Sequence, residues 1–200
     1  MTRITAGLNS DTDVTHKQLT YLQSREVDIM KYNIRKKEEY SLAVSPPITS
    51  GDDLTDEIKA CLIEQAMGVL KNSYAPYSHY NVAAAALFSS GKIYTGANIE
   101  SAAFTATVCA ERNAIHHAAA MGERKLIAIA IVGGPDSDDA GDLARHDYCT
   151  PCGICRQVMR DFADPRTMRV ICARSADDYK EWTLDEMLPE SFGPEDLEEE

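Results

Sequence analysis

The spacing of apolar residues changes along the chain, and each change predicts a helix or a strand. Four apolar residues after Thr55, a favourable N-cap, recur at helical intervals and predict a helix to about Lys71: Ile58, Leu62, Ala66 and Val69. Short apolar runs predict buried strands at 82–88, 126–132 and 168–173. A turn at 89–91 predicts that residues 92–96 return beside the first strand as a hairpin.

Two further helices are predicted to begin at cysteines. An Ala-rich stretch follows Cys109, and Pro151 suits the start of a helix that runs from Cys152 to about Phe162. Helices that alternate with short buried strands imply an α/β protein with three layers, α/β/α, and a mixed sheet. We expect both helices to begin at the same end of that sheet, which brings distant cysteines to one point.

The polar and charged segments predict the domain organisation. Residues 1–53 are polar and end in a Pro- and Gly-containing linker, so we predict an N-terminal extension that is flexible or packs on the rest of the protein. A short helix is predicted around Leu22 to Tyr40, and a regulatory or partner-binding role is the alternative for this extension. Residues 54–197 are predicted to form the catalytic domain, followed by an acidic tail at 198–200.

Composition and charge narrow the classes of function. The 200 residues are 44% hydrophobic, and two thirds of the net charge of −12 lies between Asp185 and Glu200. A basic stripe is missing, which disfavours a nucleic acid as partner. The longest apolar run falls short of the roughly 20 residues of a transmembrane helix, so we expect no membrane association. The first residues do not resemble an export signal. We therefore expect the six cysteines to be reduced thiols and the protein to be cytoplasmic.

The chemistry is concentrated in two cysteine motifs. Cys109 is followed two residues later by Glu111, and Cys152 and Cys155 form a C-x-x-C pair. Three thiolates bind Zn²⁺ and leave a fourth position for water, which is the arrangement of a catalytic zinc. Glu111 is then placed to shuttle protons, and we expect Arg112 to donate hydrogen bonds to the sulfurs and offset their charge.

Other interpretations of these cysteines remain open at this stage. A C-x-x-C pair alone is also found in redox proteins and in structural zinc sites. Cys149 lies three residues before Cys152, so the run imitates the spacing of iron–sulfur proteins. Cys149 could also close a four-cysteine structural site with the other three thiols.

The motifs together resemble the cytidine deaminase family, in its small homotetrameric type with a three-cysteine zinc site. The resemblance runs from about Thr55 to Leu197 and rests on five ordered motifs: Tyr74-Ala-Pro-Tyr-Ser78, Gly96-Ala-Asn-Ile-Glu100, Cys109-Ala-Glu-Arg112, Pro151-Cys-Gly-Ile-Cys155-Arg-Gln157 and Glu186-Met-Leu-Pro-Glu-Ser-Phe192-Gly-Pro194. It implies a cytidine deaminase-like fold, one zinc ion per chain, and hydrolytic deamination of cytidine and 2′-deoxycytidine in pyrimidine salvage. A related nucleoside or nucleobase is the alternative substrate, and a non-catalytic Cys-rich metal-binding module is the other alternative.

The resemblance also implies which residues bind the substrate. Asn98 and Glu100 match residues that hydrogen-bond the ribose hydroxyls, and Tyr80 stands where a Phe usually lines the base pocket. Phe192 is similar to the aromatic residue that reaches the base in a neighbouring subunit. The implied partners are therefore a small nucleoside and three further copies of the chain in a homotetramer.

Overall fold

A mixed sheet is the framework of the protein. The structure, a computed structural model, describes residues 35–37, 41–44, 48–136 and 147–197. The described residues form seven strands: β1 (Arg35–Lys37), β2 (Ser41–Ala43), β3 (Tyr80–Phe88), β4 (Lys92–Ala97), β5 (Leu126–Pro135), β6 (Arg169–Ser175) and β7 (Asp178–Thr183). Their order in the sheet is β1-β2-β4-β3-β5-β6-β7, in which β5 and β6 pair in parallel and the other neighbours are antiparallel.

Four α-helices accompany the sheet in the described residues: α1 (Asp56–Val69), α2 (Ala110–Ala120), α3 (Gly153–Arg160) and α4 (Leu184–Met187). The predicted cap of α1 is confirmed, because the Thr55 side chain accepts a hydrogen bond from the Ile58 amide. The short helix α4 begins with a capping box formed by Thr183 and Glu186.

The alternation of side chains along the strands produces the three layers. On β3, Ala83, Ala85 and Leu87 lie in the apolar cluster that contains α1. Residues 84, 86 and 88 point the other way, into the cluster that contains α2 and α3. Both faces of the sheet are therefore covered by helices, and the predicted three-layer α/β/α fold with a mixed sheet is confirmed.

Small residues let α2 approach the sheet closely. An ideal Cβ on Gly96 of β4 would lie 2.5 Å from the Ala114 amide nitrogen and 3.0 Å from Asn113 Cβ. Only glycine leaves room for the helix backbone at this distance. This close contact sets the position of the start of α2, and therefore of Cys109.

The predicted strands and helices are present, with a few differences. Residues 133–135 continue strand β5 rather than ending it. β7 was not predicted, because it is an edge strand with charged and half-buried residues instead of an apolar run. The helix predicted around Leu22 to Tyr40 is wrong at Arg35–Lys37, which form β1, and the rest of that prediction lies outside the described residues.

Part of the predicted N-terminal extension joins the sheet. Strand β2 pairs with β4, and the Val44 amide donates to the Gly91 carbonyl at 2.6 Å. Val44 and Ile48 are buried in the core cluster of α1. The boundaries at residues 53 and 197 stay predictions. None of the helices in the described part of the chain is both long and apolar enough to cross a bilayer.

Candidate metal centre and active site

Three cysteine side chains converge where α2 and α3 begin. The sulfur atoms of Cys109, Cys152 and Cys155 all lie within 4.8 Å of one another. The Cys109 and Cys152 sulfurs are 3.9 Å apart, and those of Cys152 and Cys155 are 3.6 Å apart. The structure therefore brings together residues that are 43 positions apart in the sequence.

Two helix starts hold this cluster. Cys109 is the N-cap of α2 and Cys152 is the N-cap of α3, both with extended backbone conformations. Cys155 lies within the first turn of α3 and is buried. The amino end of a helix carries partial positive charge, so the three sulfurs lie where negative charge is stabilised.

The spacing of the thiols fits a zinc ion. Thiolates bind zinc at about 2.3 Å in a tetrahedral arrangement, which places neighbouring sulfurs about 3.8 Å apart. The observed separations of 3.9 and 3.6 Å lie on either side of this value. Three protein ligands leave one tetrahedral position for water or substrate, as a catalytic zinc requires.

The protonation of the thiols is strongly coupled. The hydrogen bond from Cys155 lowers the pKa of Cys109 to about 5, and Arg112 acts in the same direction while burial opposes it. The same contact, together with burial, raises the pKa of Cys155 above its ordinary value. A thiolate therefore forms readily at Cys109, and a bound cation would favour the ionised form of Cys155.

Glu111 is the buried acid of the site. Its side chain is only 4% exposed. Burial raises the pKa of this carboxyl to about 7, and the negative charge of Cys109 contributes to the increase. A carboxyl group with a pKa near neutrality can both accept and release a proton at physiological pH.

The Arg112 side chain lies beside the Cys109 sulfur. One guanidinium nitrogen donates to the Thr107 carbonyl at 2.9 Å and lies 4.0 Å from the Cys109 sulfur. The buried Nε atom of Arg112 has no hydrogen-bond partner among the described residues. Three thiolates around Zn²⁺ carry a net charge of −1, which this guanidinium is placed to offset.

Cys149 stands apart from the three clustered thiols. It does not belong to the group of residues, within the described part of the chain, that could share a metal ion. Its sulfur lies against Gly133, where an added Cβ would be 3.2 Å away, and Tyr80 is a neighbour that affects its pKa. Burial raises the pKa of Cys149 to about 12. This arrangement supports neither a four-cysteine site nor an iron–sulfur cluster.

Asn98 is buried and already makes several hydrogen bonds within the protein. Its side-chain oxygen accepts from the Val82 amide at 2.9 Å and from the Ser73 hydroxyl. Its side-chain nitrogen donates to the Tyr80 carbonyl at 2.9 Å. An amide group offers two N–H bonds, so one further donor is left for a ligand.

Glu100 and Tyr80 differ in their surroundings. The Glu100 carboxylate accepts from the amides of Tyr77 at 2.9 Å and Ser78 at 3.2 Å. The Ser78 hydroxyl, followed by the Tyr77 amide, lowers the pKa of this carboxyl, which keeps it ionised. Burial, followed by the effect of Cys149, raises the pKa of Tyr80 to about 12, so its phenol stays protonated.

The last of the predicted substrate-binding residues points to solvent. Phe192 is 59% exposed, and its carbonyl accepts a hydrogen bond from Gln157 of α3 at 3.0 Å. Arg156 of the same helix donates to the Pro151 carbonyl at 2.9 Å and to the Met187 carbonyl at 2.7 Å. Sequence reasoning missed Arg160, which is also on α3 and buried. Its four-residue spacing from Arg156 is the one pattern that could have drawn attention to it.

The chain is similar to known proteins. Residues 56–173 match the family model described as the cytidine and deoxycytidylate deaminase zinc-binding region. The cytidine deaminase of Halalkalibacterium halodurans is 38% identical over 136 residues, which span 68% of this chain and 95% of that protein. The probable cytidine deaminase of Dictyostelium discoideum is 34% identical over 142 residues, which span 71% of this chain and 88% of that protein.

A solved structure agrees with the sequence relatives. The crystal structure of cytidine deaminase from Burkholderia pseudomallei aligns with a TM-score of 0.57 and 36% identity, covering 66% of this chain and 97% of that one. The comparisons and the thiol cluster confirm the predicted resemblance, the enzyme class and the zinc cofactor. The family model covers more than half of the chain and the Halalkalibacterium relative is matched over nearly its whole length, so this protein belongs to the cytidine and deoxycytidylate deaminase family.

Proposed function

We propose that this protein catalyses the hydrolytic deamination of cytidine and 2′-deoxycytidine to uridine and 2′-deoxyuridine, with release of ammonia. The proposal assigns Cys109, Cys152 and Cys155 as the ligands of one zinc ion per chain. The observation that supports it best is the group of three thiols within 4.8 Å, together with a buried carboxyl group two residues from one of them.

Glu111 performs the proton transfers in this proposal. A bound zinc ion supplies a water molecule that is acidic enough to act as a nucleophile near neutral pH. Glu111 accepts the proton of that water and delivers it to ring nitrogen 3 as carbon 4 is attacked. Glu111 then accepts the remaining proton, from the new hydroxyl group on carbon 4, and delivers it to the amino group, which leaves as ammonia while the carbonyl forms. One carboxyl therefore serves as base and acid in turn. Its pKa of about 7 suits both roles.

The proposal assigns the substrate contacts to Glu100, Asn98 and Tyr80. Glu100 is held ionised by its hydrogen bonds to Tyr77 and Ser78, so it can accept hydrogen bonds from ribose hydroxyls. Asn98 contributes its remaining N–H to the same sugar. We assign Tyr80 to the base pocket, where its ring can pack on the flat pyrimidine.

Phe192 is assigned to the base pocket of a second copy of the chain, in a homotetramer. Its exposure in the single chain supports this assignment, as does the exposure of eight other large apolar side chains in the described residues, among them Tyr74, Phe104 and Ile154. Light scattering on the purified protein tests the assembly, with four chains expected. We further propose a cytoplasmic role in pyrimidine salvage, since the cysteines of the described residues are all free thiols.

The decisive experiment measures turnover and metal together. The loss of cytidine absorbance is followed with wild-type protein and with Glu111→Gln, and zinc is assayed in both samples. We expect turnover with the wild type only, at one zinc per chain in each. Turnover by the variant would refute the proton-transfer role, and a zinc-loaded wild type that leaves cytidine intact would refute the substrate.

Parallel reactions define the substrate class. Cytosine lacks the ribose that Asn98 and Glu100 are proposed to bind, and CMP and dCMP add a phosphate. We expect cytidine and 2′-deoxycytidine to react and cytosine to be a poor substrate. Faster reaction of a nucleotide or the free base would redirect the proposal to that compound.

A further inference from the structure

Arg160 is a buried charged residue that the proposed mechanism leaves without a task. In the described residues, the polar or charged side chains that are buried are those of Asn98, Glu111 and Arg160. The first two belong to the proposed active site, whereas Arg160 is 6% exposed at the end of α3. Burying a guanidinium group is costly unless other groups pair with it, so its partners indicate what it stabilises.

All the identified partners of Arg160 belong to one short segment near the end of the chain. Its Nε atom donates to the Ser191 hydroxyl at 3.0 Å, and its Nη2 atom forms an ion pair with Glu195. Gly193 packs directly on the guanidinium group, since a Cβ there would overlap Nη2 and lie 2.7 Å from Nη1. The guanidinium therefore contacts residues on both sides of Phe192.

A second contact from the same helix completes the attachment. Gln157, three residues before Arg160, donates to the Phe192 carbonyl at 3.0 Å. The 191–195 segment is thus held on α3 at four of its five residues: by the side chains of Ser191 and Glu195, by the Phe192 carbonyl, and by the packing of Gly193. The Phe192 ring, in contrast, is 59% exposed and projects from this fixed backbone.

We propose that Arg160 is a positioning residue, which holds the 191–195 segment so that the Phe192 ring is presented to the base pocket of a second copy of the chain. The inference rests on the proposed function, in which Phe192 contacts the pyrimidine across the subunit interface. It adds that the affinity for substrate in one subunit depends on an arginine in another. Since α3 also begins at Cys152, the same helix carries metal ligands for its own site and the support for its neighbour's site.

Steady-state kinetics of three variants test the inference: Arg160→Gln, Arg160→Lys and Phe192→Ala. Aromatic pairs contribute enough to binding that losing one should raise KM by about two- to tenfold. Arg160→Gln should raise KM for cytidine nearly as much as Phe192→Ala, with kcat and zinc content close to wild type. Arg160→Lys, which keeps the charge but not the fork of donors, should lie between Arg160→Gln and the wild type.

The double variant separates positioning from a general effect on the fold. If Arg160 acts through Phe192, adding Arg160→Gln to Phe192→Ala should leave KM unchanged from Phe192→Ala alone. Independent, multiplied effects would overturn the inference. A fall in kcat or in zinc content with KM unchanged would also overturn it, because this would mean that Arg160 supports its own zinc helix.

Glycine substitutions provide a matched pair with no change in charge. Gly193→Ala should raise KM, since its Cβ displaces the guanidinium. Gly68→Ala should leave KM unchanged, since a Cβ there meets no atom within 4 Å. Equal KM values for these two variants would contradict the proposed contact.

Mixed assemblies test whether the effect crosses between subunits. Glu111→Gln subunits lack the proton shuttle but present a well-positioned Phe192, whereas Arg160→Gln subunits have the opposite combination. Co-refolded mixtures should contain active sites with the wild-type KM, because the intact Phe192 comes from the neighbouring subunit. Mixtures that keep the raised KM of Arg160→Gln would overturn the inference.

A spectroscopic measurement keeps the test independent of the substrate. The protein contains four phenylalanines, and ¹⁹F NMR after incorporation of fluorophenylalanine resolves them. The resonance that Phe192→Ala removes should narrow or shift in Arg160→Gln and stay unchanged in Gly68→Ala. An unchanged Phe192 resonance in Arg160→Gln would overturn the inference even if the natural substrate is not cytidine. Failure of the proposed function alone would appear in the wild type, as an absence of cytidine turnover.

Discussion

Replacing Glu111 by Gln should abolish turnover and, in the metal-free protein, raise stability. The two side chains have nearly the same size, so the change removes only the ionisable group. Each of the two proton transfers assigned to Glu111 contributes a factor of roughly 10²–10⁴ to the rate. We therefore expect the zinc-loaded variant to retain its metal and lose at least about three orders of magnitude in kcat, measured by cytidine absorbance.

The gain in stability follows from the pKa of the buried carboxyl. In the unfolded chain Glu111 ionises near 4.5, whereas burial raises its pKa in the folded protein to about 7. Between these values the unfolded state releases a proton that the folded state keeps, so the stability of the metal-free protein falls as the pH rises. At about 1.4 kcal/mol per unit, the loss reaches about 3 kcal/mol above pH 7. Glutamine cannot ionise, so the Glu111→Gln variant does not lose this stability as the pH rises.

Urea unfolding of the metal-free proteins under reducing conditions measures this difference. At pH 8, Glu111→Gln should exceed the wild type in free energy of unfolding by up to about 3 kcal/mol, and near pH 4.5 the two should be equal. Asp185→Asn, which removes an exposed carboxylate, controls for the change in net charge. A Glu111→Gln variant that is less stable than the wild type at pH 8, or a difference in stability that does not depend on pH, would refute the reasoning that burial of the Glu111 carboxylate destabilises the fold.

Three further predictions concern the metal and the packing around it. Cys155→Ala should lose zinc and melt at a lower temperature, whereas Cys149→Ala should keep one zinc per chain. Metal analysis of both variants tests this prediction. Loss of zinc from Cys149→Ala would show that the Cys149 thiol is a ligand. Arg112→Lys should bind zinc about 10- to 100-fold more weakly in chelator competition, because lysine cannot reach both the Thr107 carbonyl and the Cys109 sulfur. An unchanged zinc affinity would contradict the role assigned to the guanidinium. Gly96→Ala should lower the free energy of unfolding by about 1–3 kcal/mol, because the added Cβ pushes α2 away from the sheet. Gly68→Ala should not lower it. Equal urea midpoints for the two variants would refute the close contact between Gly96 and α2.

Local sequence patterns predicted the regular parts of the fold well. The helical period after Thr55 and the apolar run at 82–88 correspond to α1 and β3, because these patterns reflect burial of one helix face and of both faces of a strand. The turn at 89–91 predicted the return strand β4. The patterns failed where burial is partial. β7, at the edge of the sheet, is half-buried except at the exposed Lys180 and includes residues of both charges, so it carries no apolar run.

The spacing of the cysteines in the sequence likewise did not predict which of them lie together in the candidate site. Cys149, Cys152 and Cys155 are evenly spaced in the sequence, yet only the last two join Cys109. Cys152 caps α3 and Cys155 lies one turn further, which puts both sulfurs on the same side of the helix start. Pro151 disfavours a helical conformation at Thr150, so Cys149 lies outside α3 and its sulfur packs against Gly133.

The sequence by itself determined the chemistry of this protein: three thiols, one acid beside them, and the family to which their spacing belongs. These are local properties, since the residue types and the distances along the chain define a metal ligand set and a helix start. Only the tertiary structure decided that Asn98 uses most of its amide to join neighbouring strands, and that Arg160 is buried against the segment around Phe192. Burial and hydrogen-bond partners depend on residues that are distant in the sequence and meet only when the sheet and its helices pack together.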